Sequence, residues 1–290
     1  MTSRRTLRRR LSGVGVVVCA VMAAGVATAG ASPVAAPASG PVRAWDGTQI
    51  HWLEPAPHYG GPAPSAPSKG VAVPPKPPPD QVLSNETTST TWAYVSQASF
   101  IQSAPSTAAP HVGWLTWQTP DGYASLFVLL RAHWDAQGQE WVKLRIPGRP
   151  NGRTGWVQRD ALGRFHLTHS LLVVNREQMR MYFYSSGHQI WSAPVGVGKP
   201  STPTPAGHFW IDERIPVTNP SSGYYPFAFA TTDYSTLTDW PGGGVVGIHG
   251  PYFEPQGIPG HISHGCIRLE IVDDSWLVTH LALGTPVHVI

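Results

Sequence analysis

Cysteine is nearly absent from this chain, with two in 290 residues. Cys19 lies in a segment expected to be removed on export. The mature chain then carries one thiol, Cys266, and has no internal disulfide to lean on. Charge is scarce too, at 13% Asp, Glu, Lys and Arg. The formal excess of +3 disappears on inspection, because five arginines (Arg4, Arg5, Arg8, Arg9, Arg10) precede residue 30. Without them 15 basic residues face 17 acidic ones, a charge of −2, which leaves no basic surface for nucleic acid. The one apolar run at the front, Val14 to Ala27, is too short to read as a membrane span.

That run has a use. Arginines, then an apolar stretch, then the small residues Ala27-Thr28-Ala29 form the layout of a secretory signal peptide over residues 1–29. Ser3-Arg4-Arg5-Thr6-Leu7 resembles a twin-arginine signal loosely. An uncleaved anchor is the alternative. With the signal removed there is no membrane segment, and the expected location is extracytoplasmic, in the cell wall or periplasm. Residues 30–91 read as a linker, with thirteen prolines between Pro33 and Pro79. Proline denies donors to helix and sheet and favours extended chain. Trp45, Ile50, Trp52 and Leu53 interrupt it, either as a docking segment or as a sticky patch in a disordered arm.

Two folded units are expected after the linker, and the fold class is mainly β. Between residues 92 and 165, Trp92–Val95, Ser125–Leu130 and Glu140–Arg145 are strand-like, punctuated by Asp121-Gly122, Gln137-Gly138 and Pro147-Gly148. Gly152-Arg153-Thr154-Gly155-Trp156-Val157 and the following Arg159-Asp160-Ala161-Leu162 resemble the closing strand of bacterial SH3-like β-barrels. On that resemblance Trp114, Trp117, Trp134 and Trp141 are barrel core, with a peptide groove as the alternative. From 166 to 290 a second β-rich unit is expected. It opens on a hairpin, Leu171–Val174 and Met179–Tyr184, followed by strands at Ile190–Val197 and His208–Ile211. Its one helix should cover Asp273–Leu283, capped by Asp273 or Asp274 and stopped at Gly284.

The chemistry concentrates in Ser263-His264-Gly265-Cys266-Ile267-Arg268. A lone thiol outside the cytoplasm is tolerated where its reactivity is used. A free cysteine with a pKa of about 8.5 is mostly protonated at neutral pH, so a nucleophile needs a base. His249 follows the apolar strand Val245–Ile248 and stands at its end, a better base than His264, which lies too close in sequence to align. Gly265 allows a tight turn with exposed amides, which can receive an oxyanion. Arg268 offers a cation to a substrate carboxylate.

His249-Gly250 with the downstream Ser263-His264-Gly265-Cys266-Ile267-Arg268-Leu269 resembles the signature of the L,D-transpeptidases, the YkuD-type catalytic domain. Upstream, Gly196 to Phe209 resembles the family's proline-threonine stretch before a strand. The resemblance implies Cys266 as nucleophile and His249 as base, its tautomer held by the Gly250 carbonyl. It implies an oxyanion hole from the amides of Gly265, Cys266 and His264. The implied partners are peptidoglycan peptide stems, joined 3→3 through a cysteine thioester, and carbapenem-type inhibitors that mimic the acyl donor. No cofactor is implied. Arg268, Ser263 and Tyr252 fall where substrate would be bound. Tyr224 to Phe229 and Trp240 to Gly244 would form a lid or donor groove, or in the first case a core strand.

Three rivals compete with this reading. His249, His261, His264 and Cys266 could bind zinc, yet Glu254 and Glu270 sit in no metal pattern, so no metal is expected. A papain-like endopeptidase needs its histidine well after the cysteine, and only 24 residues follow Cys266. A non-catalytic wall-binding protein has no reason to combine Cys266, His249 and this turn. An L,D-carboxypeptidase, with water as acceptor, differs only in the second half-reaction.

Overall fold

Period-two burial, one face in and one face out, organises most of the chain. The computed structural model describes residues 42–45, 50–53, 76–239, 241–250 and 257–290. The expected export segment 1–29 lies outside them, as do Trp240, Tyr252, Phe253 and Glu254. The described part is mainly β with one α-helix.

Inside the stretch read as linker, β1 (Val42–Trp45) and β2 (Ile50–Leu53) pair as an antiparallel hairpin. The first large sheet has eight strands: β3 (Gln81–Val82), β4 (Thr90–Val95), β5 (Ser99–Gln102), β6 (His111–Leu115), β7 (Leu126–Trp134), β8 (Glu140–Arg145), β9 (Thr154–Gln158) and β10 (Leu162–Thr168). Their order is β10-β4-β7-β8-β9-β5-β6, with β3 on β7. Val142 and Leu144 on β8 and Val157 on β9 are fully buried, and the intervening Lys143 and Trp156 face outward, where the lysine lies over the indole.

Three expectations for this unit need correcting. The linker does not run to residue 91: β3 lies inside it, and buried Glu86 forms a two-point ion pair with Arg145, Nε–Oε1 2.5 Å and Nη2–Oε2 2.7 Å. The unit does not end at 165, since β10 continues pairing with β4 as far as Thr168. Of the four tryptophans assigned to its core only Trp141 is buried, held by Asp135 through its indole N–H at 3.0 Å. Trp114 and Trp117 are about half exposed, at 47% and 53%. Trp114 stands opposite Phe100 on the edge strand β6, where only one face of the pleat meets the core.

The second sheet has ten strands: β11 (Ser170–Asn175), β12 (Arg180–Ser185), β13 (His188–Pro194), β14 (Gly196–Gly198), β15 (Gly207–Pro216), β16 (Phe227–Tyr234), β17 (Val245–His249), β18 (Gly260–Ser263), β19 (Ile267–Arg268) and β20 (Pro286–Val289). They run in the order β13-β12-β11-β20-β15-β16-β17-β19-β14-β18. Leu172, Val174, Met181, Ile211, Phe229, Ile248 and Ile267 are fully buried in one core. Each such side chain contributes roughly 1.5–3 kcal/mol of burial free energy.

Helix α1 (Ile271–His280) begins two residues earlier than its sequence suggests. Glu270 occupies the N-cap without a side-chain bond, because buried Leu269, just after β19, has its N–H on the His249 carbonyl, which fixes where the helix must start. Asp273 and Asp274 therefore sit in the first turn rather than capping it, near the positive end of the helix dipole. Trp210 of β15 reaches out of its own sheet into the core of the first one, donating its indole N–H to the Leu126 carbonyl at 3.3 Å. Gly284 (φ 72°) lies against Trp92, leaving no room for a side chain.

Candidate active site

The parallel pairing of β17 with β19 sets Ile248 beside Ile267 and His249 beside Arg268. One step earlier in the same register Gly247 stands beside Cys266, and its N–H points at Sγ at 3.4 Å. Alternation does the rest. Ile248 and Ile267 enter the core, so Gly247, His249, Cys266 and Arg268 share the opposite face. Gly247 has no side chain, and that leaves room. A Cβ there would lie 3.8 Å from His249 Cδ2 and 3.9 Å from Cys266 Sγ, so the imidazole and the thiol converge over one glycine.

The loop before Cys266 is held by two hydroxyls. Ser263 donates to the Cys266 carbonyl at 2.5 Å and accepts from the Gly265 N–H at 3.1 Å. Thr204, itself buried, donates to the Gly265 carbonyl at 2.7 Å and accepts from the Gly198 N–H at 3.0 Å. Gly265 has φ 129°, and a Cβ there would stand 3.1 Å from Ser235 Cβ, so the loop closes only with glycine. Ser263, expected at the substrate, is thus fully buried as a loop fastener. The Gly265 amide, expected to face an oxyanion, is already engaged by Ser263. Thr204 was not singled out by its sequence. Its only signal is a hydroxyl between Pro203 and Pro205, neither of which can supply an N–H to the turn.

His249 is buried, and its Nδ1 donates to the Gly250 carbonyl at 2.7 Å, which leaves Nε2 as the accepting nitrogen. Gly250 must be glycine, since a Cβ would meet the Tyr225 carbonyl oxygen at 2.2 Å. Burial pulls the His249 pKa down to about 4, and the Arg268 charge adds to that, while the Gly250 and Gly223 carbonyls favour the protonated ring. Burial pushes the Cys266 thiol up, against the Gly247 N–H and Arg268, which favour the thiolate. At rest the pair is a neutral thiol beside a neutral imidazole. Tyr224 lies on the His249 ring, centroids 4.7 Å apart, and joins the site from a segment whose sequence reads equally well as core. His264 is exposed beyond the turn. His261 points elsewhere, its Nδ1 bonded to the Gly198 carbonyl at 3.0 Å. Among the described residues no three His, Cys, Asp or Glu side chains are grouped to hold a metal.

Residues 169–289 match the family of the L,D-transpeptidase catalytic domain, YkuD. The match covers less than half of the chain. L,D-transpeptidase 1 of Mycobacterium tuberculosis is 30% identical over 118 residues, covering 36% of this chain and 44% of that protein. The chain therefore spans less than half the length of this curated relative. A solved Enterococcus faecium L,D-transpeptidase, a C442S mutant, is 26% identical over 42% of this chain and 49% of its own, with a TM-score of 0.33. An L,D-transpeptidase solved in complex with imipenem is 20% identical over 67% and 82%, with a TM-score of 0.34. All of the convergent residues above, from Thr204 to Arg268, lie within the matched segment.

Proposed function

We propose that this chain is an exported peptidoglycan L,D-transpeptidase that forms 3→3 cross-links through a Cys266 thioester. The observation that carries the reading is the shared face of β17 and β19, where thiol and imidazole converge over Gly247. Cys266 Sγ attacks the carbonyl carbon of the third residue of a tetrapeptide stem. Its proton passes to His249 Nε2 as the S–C bond forms, which suits a pair that is neutral at rest. The Gly250 and Gly223 carbonyls stabilise the imidazolium while it lasts. The Cys266 amide, with that of His264, receives the oxyanion, since the Gly265 N–H is committed to Ser263. As the tetrahedral adduct collapses, the C–N bond breaks and D-alanine leaves with the proton from His249. The side-chain amine of a neighbouring stem then attacks the thioester and loses a proton to His249. That proton returns to sulfur as the thiol departs.

Arg268 beside this face attracts a stem carboxylate, and Tyr252 belongs with the substrate groove in the same reading. The first sheet, on its sequence resemblance, is an SH3-like companion domain. The signal at 1–29 takes the chain to the wall or periplasm. Carbapenems act as donor mimics that acylate Cys266.

Intact-mass spectrometry after incubation with imipenem, beside Cys266→Ala, tests the proposal. An adduct on the native chain alone is expected. Stem-peptide products then separate cross-linking from the carboxypeptidase outcome, in which water takes the acyl group. No adduct, with Cys266 still open to a small alkylating reagent, would turn the reading toward a wall-binding protein.

A further inference from the structure

One loop of the first sheet makes an unusual set of bonds to the segment that carries the second sheet. The β8–β9 turn presents Arg149 and Asn151. Arg149 donates from Nε and Nη2 to the Ser235 carbonyl at 2.9 and 2.7 Å, and from Nη2 to the carbonyls of Leu237 and Gly243, both at 3.0 Å. Its guanidinium also lies 5.2 Å from the centre of the Tyr234 ring. Asn151 donates to Asp233 Oδ1 at 2.8 Å and to the Tyr234 carbonyl at 3.0 Å, and accepts from the Tyr234 N–H at 3.2 Å.

The segment gripped in this way has few bonds of its own. Gly242, Gly243 and Gly244 have φ of 74°, 66° and 86°, a backbone path that side chains resist. Carbonyls of residues 235, 237 and 243 turn inward to one point, and a convergence of carbonyl dipoles calls for a cation. Arg149 supplies it. A Cβ on Gly244 would stand 2.4 Å from Arg149 Nη2 and 2.0 Å from the Leu237 carbonyl oxygen, so the turn closes directly onto the guanidinium. Ser235 N–H to the Gly244 carbonyl, at 2.8 Å, ties the neck of the loop.

Both ends of that loop lead to the thiol. At one end Ser235 packs against the Gly265 turn, one residue from Cys266. At the other, Gly244 passes straight into β17, whose Gly247 N–H meets Sγ. We propose that Arg149 and Asn151 are positioning residues for the reaction: from the neighbouring sheet they fix the 233–244 loop and with it the walls of the acyl-donor site around Cys266. The inference rests on the transpeptidase reading for the word donor. The mechanical claim, that a turn of one sheet sets the order of the other sheet's site, stands on the contacts alone.

The test uses the full chain with Arg149→Met, Arg149→Lys and Asn151→Ala. Arg149 is solvent-exposed, so the Met variant keeps the fold, checked by an unchanged melting curve. Acylation by imipenem is expected to slow at least about tenfold in Arg149→Met, because small displacements at a reacting centre are costly. Alkylation of Cys266 by iodoacetamide, which needs no ordered donor site, should stay within about twofold of the native rate. Lysine keeps the charge but not the fork, so Arg149→Lys should recover only part of the loss. A purely structural role would move both rates together or neither. Hydrogen exchange at the amides of 233–247 should speed up in the Met and Asn151→Ala variants, and this readout needs no turnover. Unchanged exchange there, or unchanged acylation, overturns the proposal. A native chain that imipenem cannot acylate would count against the transpeptidase reading, and exchange alone would then decide the clamp.

Discussion

Thr204→Val removes a single hydroxyl while keeping the side chain's shape, and its effect can be worked from the structure. The hydroxyl bridges the Gly198 N–H and the Gly265 carbonyl at 3.0 and 2.7 Å, in a place with 1% exposure. Valine leaves a donor and an acceptor without partners, each costing about 1–3 kcal/mol when buried. Relaxation of the loop returns part of this, so a net loss of about 2–3 kcal/mol is expected. For a folded body of roughly two hundred residues that lowers Tm by about 4–12 °C. The loosened carbonyl belongs to the residue before Cys266, so on the proposed function acylation by a carbapenem should slow along with the fall in Tm. Differential scanning calorimetry and single-turnover mass spectrometry read the two effects. Thr204→Ser, which keeps the oxygen, should recover most of both. A valine variant that melts within about a degree of the native chain and acylates at the native rate would refute the account of this loop.

Gly247 gives a steric test. Alanine should fit, since its Cβ would make only ordinary contacts of 3.7–3.9 Å, whereas valine places methyls between thiol and imidazole and should cut acylation by about a hundredfold without unfolding the chain. Asp274 gives a pH test. Burial raises its carboxyl to about 7 in the folded chain, against about 3.9 unfolded. The unfolded state then releases this proton first as pH rises. The resulting loss of stability begins near pH 4 and is complete near pH 7, amounting to at most about 4 kcal/mol. Asp274→Asn should match the native chain in urea unfolding at about pH 4 and exceed it at pH 8; equal stability at both would contradict the shift. Asp233, pushed up to about 8 by burial, adds a loss of the same sign over a slightly wider window. Finally, a chain started at residue 92 strands Arg145 without Glu86 and should unfold by several kcal/mol more readily than one started at residue 80.

What could be read ahead of the structure was what alternation and short motifs encode. Val245 to Ile248 is apolar and ends at a histidine, so a strand delivering His249 to its edge was legible, as was the turn at Gly265. The hairpin of β11 and β12 followed from its turn residues. What stayed hidden depends on register and distance. Nothing in the sequence says that Gly247 stands beside Cys266, because that is decided by a parallel pairing across an excursion of nearly twenty residues. Trp114 and Trp117 look like core by residue type, but Trp114 stands on the edge strand and Trp117 in the bend just after it, and both face outward. The turn Pro147-Gly148-Arg149-Pro150-Asn151-Gly152 reads as ordinary punctuation, although its two polar side chains donate six hydrogen bonds to five residues more than eighty positions away. Ser263 looked like a substrate contact because it sits in the motif, yet a short side chain in a tight turn bonds its own backbone first.

The neutral resting pair has a consequence for how such a cysteine endures. Peroxides and foreign disulfides react with thiolate, and their rates scale with the fraction of sulfur that is ionised. Burial that raises the Cys266 pKa, beside an imidazole too weakly basic to take the proton unprompted, keeps that fraction small. The sulfur is thereby protected from the first step of the oxidation ladder while it waits. In the reaction proposed above, its reactivity is released by the arrival of an electrophilic carbonyl rather than stored in advance. With Cys266 the one free cysteine among the described residues, that ordering bears on how long the site stays usable as much as on how fast it reacts.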